Sequence, residues 1–152
     1  MDKVVAHELQ LLDIFHPGQF GSRKGKAVID MAIQATTEAQ LSIRKGEQVA
    51  WALGDIKSAF NYVQKETVLK KLENHEGLTR YIHWFFQPRQ ATITWDGEVR
   101  GTSLVGAGVP QGSPLSPVVF LIALAKALED ADQRLQREIP SLAHGHNLLV
   151  CG

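Results

Sequence analysis

Residues Gly108 to Pro117 are the most constrained stretch of this chain, because Gly-Val-Pro-Gln-Gly-Ser-Pro-Leu-Ser-Pro holds three prolines and two glycines in ten residues. Proline fixes φ and lacks a backbone donor, whereas glycine accepts positive φ, so the segment follows one tight path. An apolar run, Val118 to Leu124, follows at once. A loop this rigid favours ligand binding, and an ordinary connection between a strand and a helix is the alternative.

The apolar run after the loop predicts a long helix over roughly Ser116 to Glu138. Its apolar stripe is Leu128, Ala131, Leu135 and Ile139. The acidic side chains of the same stretch are therefore predicted on its solvated face; they are Glu129, Asp130, Asp132 and Glu138.

A second informative segment is Glu47 to Gly54, an apolar run that predicts a buried strand ending at Asp55. A carboxylate at the end of a buried strand loses hydration, so Asp55 is expected to meet a cation or a hydrogen-bond donor. A helix cap or a turn is the alternative role for this aspartate.

A local cluster of positive charge lies in Gln19 to Lys26, where Arg23, Lys24 and Lys26 are accompanied by two glycines and no acid. Glycines let the backbone approach a bound group closely, so this segment suits phosphate. A solvated loop leading into a helix over Lys26 to Arg44 is the alternative. The formal net charge of the chain is zero, so no global basic signature indicates nucleic acid.

The remaining patterns predict ordinary elements. A helix is expected over Asp2 to Leu12, and two more over Lys65 to Asn74 and Leu78 to Phe86. Asp96-Gly97, between two β-prone runs, predicts a two-residue hairpin turn. A last strand is predicted over His146 to Gly152. From Glu47 onward the order is strand, helices, hairpin, helix, strand, which gives an α+β fold with a split β-α-β-β-α-β (ferredoxin-like) plan.

Composition is that of one modest packed unit, with 44% hydrophobic and 21% charged residues in 152. The single cysteine, Cys151, excludes an internal disulfide. His144 and His146 are interpreted as loop residues rather than a metal pair. No secretory leader and no apolar run of about 20 residues is present. We therefore expect a soluble, intracellular protein with no membrane partner.

Several segments together resemble one family, the reverse transcriptases of non-LTR retrotransposons and group II introns. The likeness is carried by the loop Pro110 to Pro117 and by a basic segment, Gln19 to Lys26. Three further stretches look most like LINE-type polymerases of fungi: Asp55-Ile-Lys-Ser-Ala-Phe-Asn-Tyr-Val63, Phe85-Phe-Gln-Pro-Arg89 and Trp95-Asp-Gly-Glu-Val-Arg-Gly101.

The resemblance implies two-metal nucleotidyl transfer, with Asp55 as the catalytic metal-binding carboxylate and Ile56 as a ligand through its carbonyl, both to Mg²⁺. It implies that Phe60 packs beneath the incoming sugar and that Arg23 and Lys26 touch the triphosphate or the template backbone. The loop residues Gln111, Gly112 and Ser113 would border the template base and nucleotide. Gln111 bonding only within its own loop is an alternative, and Lys57 either meets a phosphate or neutralises Asp55.

The resemblance also implies a division into a partial fingers region, 1–46, and a truncated palm region, 47–152, that stops before an aromatic-x-Asp-Asp hairpin. RNA template, DNA primer and dNTPs would be the partners of the parent polymerase. Without the Asp-Asp pair, the chain alone is predicted to be inactive. The alternatives are a non-catalytic nucleic-acid-binding or interaction fragment, and a product that does not fold stably.

Overall fold

The computed structural model describes residues 1–106, 108–138 and 149 of the chain. Within them the elements run in the order α1 (Asp2–Gln10), α2 (Val28–Arg44), α3 (Lys65–Lys71), α4 (Glu76–Phe85), β1 (Arg89–Trp95), β2 (Glu98–Val105) and α5 (Ser116–Glu138). A single 3₁₀ turn, Ala59–Tyr62, precedes α3. Helices accompany an antiparallel pair of strands, so the predicted α+β class is confirmed.

The hydrophobic core lies along α5, whose predicted bounds are confirmed. Its buried face includes Leu121 and Ile122, because apolar residues recur at helical spacing along it. Side chains from α1, α3, α4 and the residue that follows α3 complete the core; they include Leu9, Val68, Leu72, Ile82 and Phe85. Each fully buried side chain of this size contributes roughly 1.5 to 3 kcal/mol of transfer free energy. Helix α5 therefore supports α1 and α3 directly, and α4 packs against α3.

The hairpin of β1 and β2 is also confirmed. Arg89 pairs with Val105 and Trp95 with Glu98, with a register irregularity between Ile93 and Thr94. At the turn, Asp96 and Gly97 have φ of 55° and 76°. Positive φ at both central residues is what a two-residue hairpin of matching twist requires.

The predicted strand over Glu47 to Gly54 is wrong. The segment has no regular structure, and Val49, Trp51 and Leu53 are 39%, 58% and 92% exposed. A buried strand needs a neighbour for its backbone groups. In the described part of the chain, β1 and β2 pair only with each other, so this segment has no ladder to join.

The split β-α-β-β-α-β plan is therefore not confirmed. Its two central strands are present and its first is irregular. The predicted last strand lies outside the described residues, as do His144, His146 and Cys151.

Helix α2 differs from the other helices because none of its residues is buried. It begins at Val28, where the carboxylate of Asp30 accepts the Ala27 backbone N–H at 3.1 Å, and it ends before Gly46 at a positive φ of 81°. Apolar Ile29 and Ile33 lie exposed along it. No helix in the described ranges is long and apolar enough to cross a membrane.

Candidate functional site

The loop Gly108 to Pro117, here called the proline loop, is fixed on the backbone of the 3₁₀ turn. The Val109 N–H donates to the Phe60 carbonyl at 3.0 Å. Gly108 has φ of 66°, and a Cβ there would lie 2.4 Å from that carbonyl and 2.7 Å from the Asn61 Cα. Only glycine fits both this conformation and this approach. The first glycine of the loop therefore sets its distance from Phe60.

The end of the proline loop is tied to the start of α5. The Ser116 hydroxyl donates to the Pro110 carbonyl at 2.5 Å, and Ser116 is buried. The Ser113 hydroxyl accepts the Leu115 N–H at 3.2 Å. These bonds close the loop on itself, so Gln111 and Gly112 are held at its tip.

Asp2, at the start of α1, connects the proline loop to α4. Its Oδ2 accepts the Ser113 hydroxyl at 2.9 Å and its Oδ1 accepts the Tyr81 hydroxyl at 2.5 Å. The hydrogen bond from Tyr81, followed by that from Ser113, lowers the pKa of Asp2. The bond to Asp2 raises the pKa of Tyr81 to about 12. The carboxylate thus braces the loop against the helical core.

A cleft of about 420 Å³ opens between the 3₁₀ turn and the proline loop. This volume lies within the range of small-molecule sites, roughly 300 to 1,000 Å³. The Phe60 ring is backed by Phe120, with ring centroids 5.4 Å apart. The lining residues are Phe60, Gln111, Gly112, Ser113, Pro114, Ser116 and Pro117. Four residues predicted to bind nucleotide or template, from two distant motifs, therefore share one cleft.

Gln111 and Gly112 leave polar groups available at the cleft. Both residues are exposed, and no hydrogen bond to a described residue engages the Gln111 amide. Gly112 has φ of 93°, and a Cβ there would touch nothing within 4 Å. The Ser113 hydroxyl, in contrast, is engaged by Asp2 and Leu115. Ser113 therefore shapes the cleft through the bonds it makes within the protein.

Asp55 lies in the exposed, irregular segment before the 3₁₀ turn, together with Ile56 and Lys57. Within the described ranges, no hydrogen bond or ion pair to another residue involves its carboxylate. Because the segment before it is exposed rather than a buried strand, the carboxylate stays accessible to water, and its role as a metal ligand stays a prediction. Asp55, Ile56 and Lys57 are also absent from the cleft lining.

Magnesium requires several oxygen ligands in near-octahedral geometry. Nowhere in residues 1–106, 108–138 and 149 do three or more His, Cys, Asp or Glu side chains cluster in a way that could hold a metal ion. A single exposed carboxylate with a neighbouring carbonyl does not fit a complete Mg²⁺ site. The predicted ligands, the Asp55 carboxylate and the Ile56 carbonyl, therefore account for only part of a Mg²⁺ site.

The predicted basic residues Arg23 and Lys26 are half-buried and folded back onto residues 15–20. Arg23 donates to the His16 carbonyl at 3.3 Å and stacks 4.9 Å from the centroid of the Phe15 ring. Lys26 donates to the Pro17 carbonyl and lies 4.5 Å from the Phe20 centroid. Burial, followed by the charge of Arg23, lowers the pKa of Lys26. Neither side chain lines the cleft.

Sequence reasoning missed the residues that brace these segments. Asp2 and Tyr81 carry no motif, and their partners lie far away in the sequence. Asp132 was expected on a solvated face, but its Oδ2 lies 2.7 Å from Nε2 of buried His16. For His16 the sequence does contain one signal. Pro17 and Gly18 follow it directly, and a Pro-Gly pair is typical of a turn.

The fold and the cleft define a mixed α+β protein with a rigid loop facing an aromatic residue. The chain belongs to the reverse transcriptase (RNA-dependent DNA polymerase) family, which matches residues 1–149. It is similar to the RNA-directed DNA polymerase from mobile element jockey of Drosophila funebris, with 29% identity over 134 residues that make up 87% of this chain and 14% of that protein. The chain thus spans a small part of this relative, and the likeness supports a segment of a non-LTR reverse transcriptase.

Proposed function

We propose that this chain supplies the nucleotide- and template-contacting surface of a polymerase that copies element RNA into DNA. The observation that carries the proposal is the shared cleft of Phe60 and the proline loop. Polymerisation needs a primer end, a template base and a nucleotide held in line for attack on a phosphate. A rigid cleft with one aromatic wall and exposed amide groups suits the positioning part of that task.

Each cleft residue has a role under this proposal. Phe60 packs beneath the sugar of the incoming nucleotide, and its contact with Phe120 keeps the ring in place. The Gln111 amide and the Gly112 backbone border the base pair. Ser113 contributes through the loop geometry that its bond to Asp2 maintains.

Arg23 and Lys26 would meet the triphosphate of the nucleotide or the template backbone. In the part of the chain that the structure describes, their partners are neutral carbonyls and aromatic faces, and no carboxylate there pairs with either charge. Phosphate oxygens are natural partners for such donors. RNA template, DNA primer and dNTPs would be the ligands of the parent polymerase, with residues 1–46 in its fingers and 47–152 in its palm.

Mg²⁺ is proposed as the cofactor of the parent polymerase, with Asp55 and the Ile56 carbonyl contributing two of its oxygen ligands. When bound, the metal would stabilise charge on the attacking and leaving oxygens. Because these two groups are only part of a site, no step is assigned to the metal in this chain. We also propose that the 152 residues alone do not polymerise, since no Asp or Glu follows Glu138.

Nucleotide incorporation on an RNA template with a DNA primer and Mg²⁺ tests this proposal, with filter binding of the same duplex at several salt concentrations. We expect duplex binding that weakens as salt rises, reduced binding in Arg23→Ala, and no incorporation. Incorporation that disappears in Asp55→Ala would overturn the proposed inactivity. If the duplex binds in a salt-dependent way and its affinity is unchanged in Gln111→Ala and Phe60→Ala, a non-catalytic nucleic-acid-binding fragment is favoured instead.

A further inference from the structure

The basic segment is attached to α5 by a buried polar contact that the proposed chemistry does not use. Gln19 is fully buried. Its Oε1 accepts the His16 backbone N–H at 2.8 Å, and its Nε2 donates to the Leu121 carbonyl of α5 at 2.8 Å. Because a buried amide left without partners is costly, these bonds hold the segment in one position against the helix.

His16 makes a second attachment to α5 through its ring. Its Nδ1 accepts the Gly18 N–H at 3.1 Å, and its Nε2 lies 2.7 Å from the Asp132 carboxylate. The two contacts agree with the neutral tautomer that carries its proton on Nε2, because Nδ1 must offer a lone pair. The ring is thereby fixed between the turn of its own segment and α5.

The same turn carries the two basic side chains. The His16 carbonyl accepts from Gln19 N at 3.0 Å and from the Arg23 guanidinium at 3.3 Å. The next carbonyl, that of Pro17, accepts from the Lys26 ammonium. Both cations therefore rest on carbonyls of a turn that is itself bonded to α5.

We propose that Gln19, His16 and Asp132 are positioning residues that fix the cations of Arg23 and Lys26 relative to α5, so that the pair meets a polyphosphate ligand in one geometry. The ligand class rests on the proposed function. The network is directional, since hydrogen bonds constrain orientation more strictly than apolar packing does. A prearranged cation pair loses less freedom when a ligand binds.

A third attachment, made to α1, holds the other end of the segment. The Gln10 amide on α1 donates to the Ser22 carbonyl at 2.6 Å and accepts the Lys24 N–H at 3.1 Å. These contacts are exposed, unlike those of Gln19. A single substitution should therefore weaken the attachment more when it removes a buried contact of Gln19 or His16 than when it removes a contact of Gln10.

The test compares Asp132→Ala with Asp130→Ala, a control two residues away on the same helix. Asp130 is exposed and pairs with Lys126, not with the basic segment. Amide hydrogen exchange of residues 15–26 reports the attachment, and calorimetry with inorganic tripolyphosphate reports the cations. We expect exchange about tenfold faster in Asp132→Ala, as loss of a hydrogen bond to a charged group implies, and an affinity weaker by about three- to tenfold.

Asp132→Asn retains an acceptor for the His16 ring and should restore most of both readouts, which a general loss of packing would not do. Gln19→Leu, with its folding checked by circular dichroism, should behave like Asp132→Ala. If exchange in Asp132→Ala and Gln19→Leu equals that of Asp130→Ala, the proposal is overturned. If the unmodified chain fails to bind tripolyphosphate, the proposed phosphate role fails, while the exchange comparison still decides on the attachment.

Discussion

Gly108 and Gly112 lie in the same loop but have different structural roles. Gly108 lies against the backbone of Phe60 and Asn61, so a side chain there would meet main-chain atoms. Gly112 needs its positive φ, yet its open side faces the cleft. The first glycine thus fixes the loop on the 3₁₀ turn, and the second shapes the tip that a ligand would meet.

Substitution of these two glycines should separate the two roles. We expect Gly108→Ala to lower the free energy of unfolding by about 2 to 4 kcal/mol, because positive φ and a backbone clash add together. Gly112→Ala, the matched control, should cost about 1 to 2 kcal/mol from φ alone. Urea denaturation of both variants measures the difference. Equal losses would contradict the close approach of the loop to Phe60.

The Asp2 carboxylate should control the titration of Tyr81. In a Tyr62→Phe background, ultraviolet titration should give Tyr81 a pKa of about 12, above its ordinary value of 10.0. Asp2→Ala should bring that pKa down towards the ordinary value, whereas Ser113→Ala should leave it raised. If Tyr81 titrates alike with and without Asp2, the bond between them does not form in solution.

The same pair gives stability a defined pH dependence. The raised pKa of Tyr81 means that its contribution is full below pH 10 and is lost as pH rises towards 12. The pKa of Asp2 is lowered from 3.8, so its contribution is full above that pH and is lost as pH falls through the lowered value. Asp2→Ala should weaken the pH dependence of the free energy of unfolding at both the acidic and the alkaline end of the range.

Elements with strong local signals were predicted from the sequence, and those that depend on distant partners were not. Asp96-Gly97 specifies its own turn, and the apolar run from Val118 to Leu124 predicts helix α5. Of the stripe predicted on this helix, Leu128 is buried, while Ala131 and Leu135 are half-buried. The apolar run from Val49 to Leu53 signals burial, but a strand also needs a neighbour, which local sequence does not supply. The loop and Phe60 were assigned through a family resemblance. Asp2 and Tyr81 were missed because their bonds join residues 79 and 111 positions apart.

The exposure of the irregular segment and the hairpin can be measured by tryptophan fluorescence. Trp51, Trp84 and Trp95 are 58%, 64% and 73% exposed, and they are all the tryptophans of the chain. We expect emission close to that of free tryptophan and efficient quenching by acrylamide. Trp51→Phe and Trp95→Phe assign the signal to each element. A blue-shifted, protected Trp51 would mean that the segment packs against other parts of the molecule.

In the molecule as a whole, α5 is the common support of the residues proposed to meet substrate. The proline loop leads directly into it, Phe120 on it backs the Phe60 ring, and Asp132 and the Leu121 carbonyl hold the basic segment. The cleft and the cations are thus attached to one rigid helix. Asp55 has no such attachment within the described ranges. The proposed metal ligands are therefore held less firmly than the cleft and the cations.

The central claim is that Phe60 and the proline loop form one nucleotide cleft, and NMR titration with a deoxynucleoside triphosphate tests it most directly. We predict that the resonances of the Phe60 ring and the Gly112 amide shift together, with a single dissociation constant on the order of 1 mM. Gln111→Ala should weaken nucleotide binding, whereas Asp130→Ala should not. Shifts confined to α2 or the hairpin, or two different dissociation constants for Phe60 and Gly112, would contradict it.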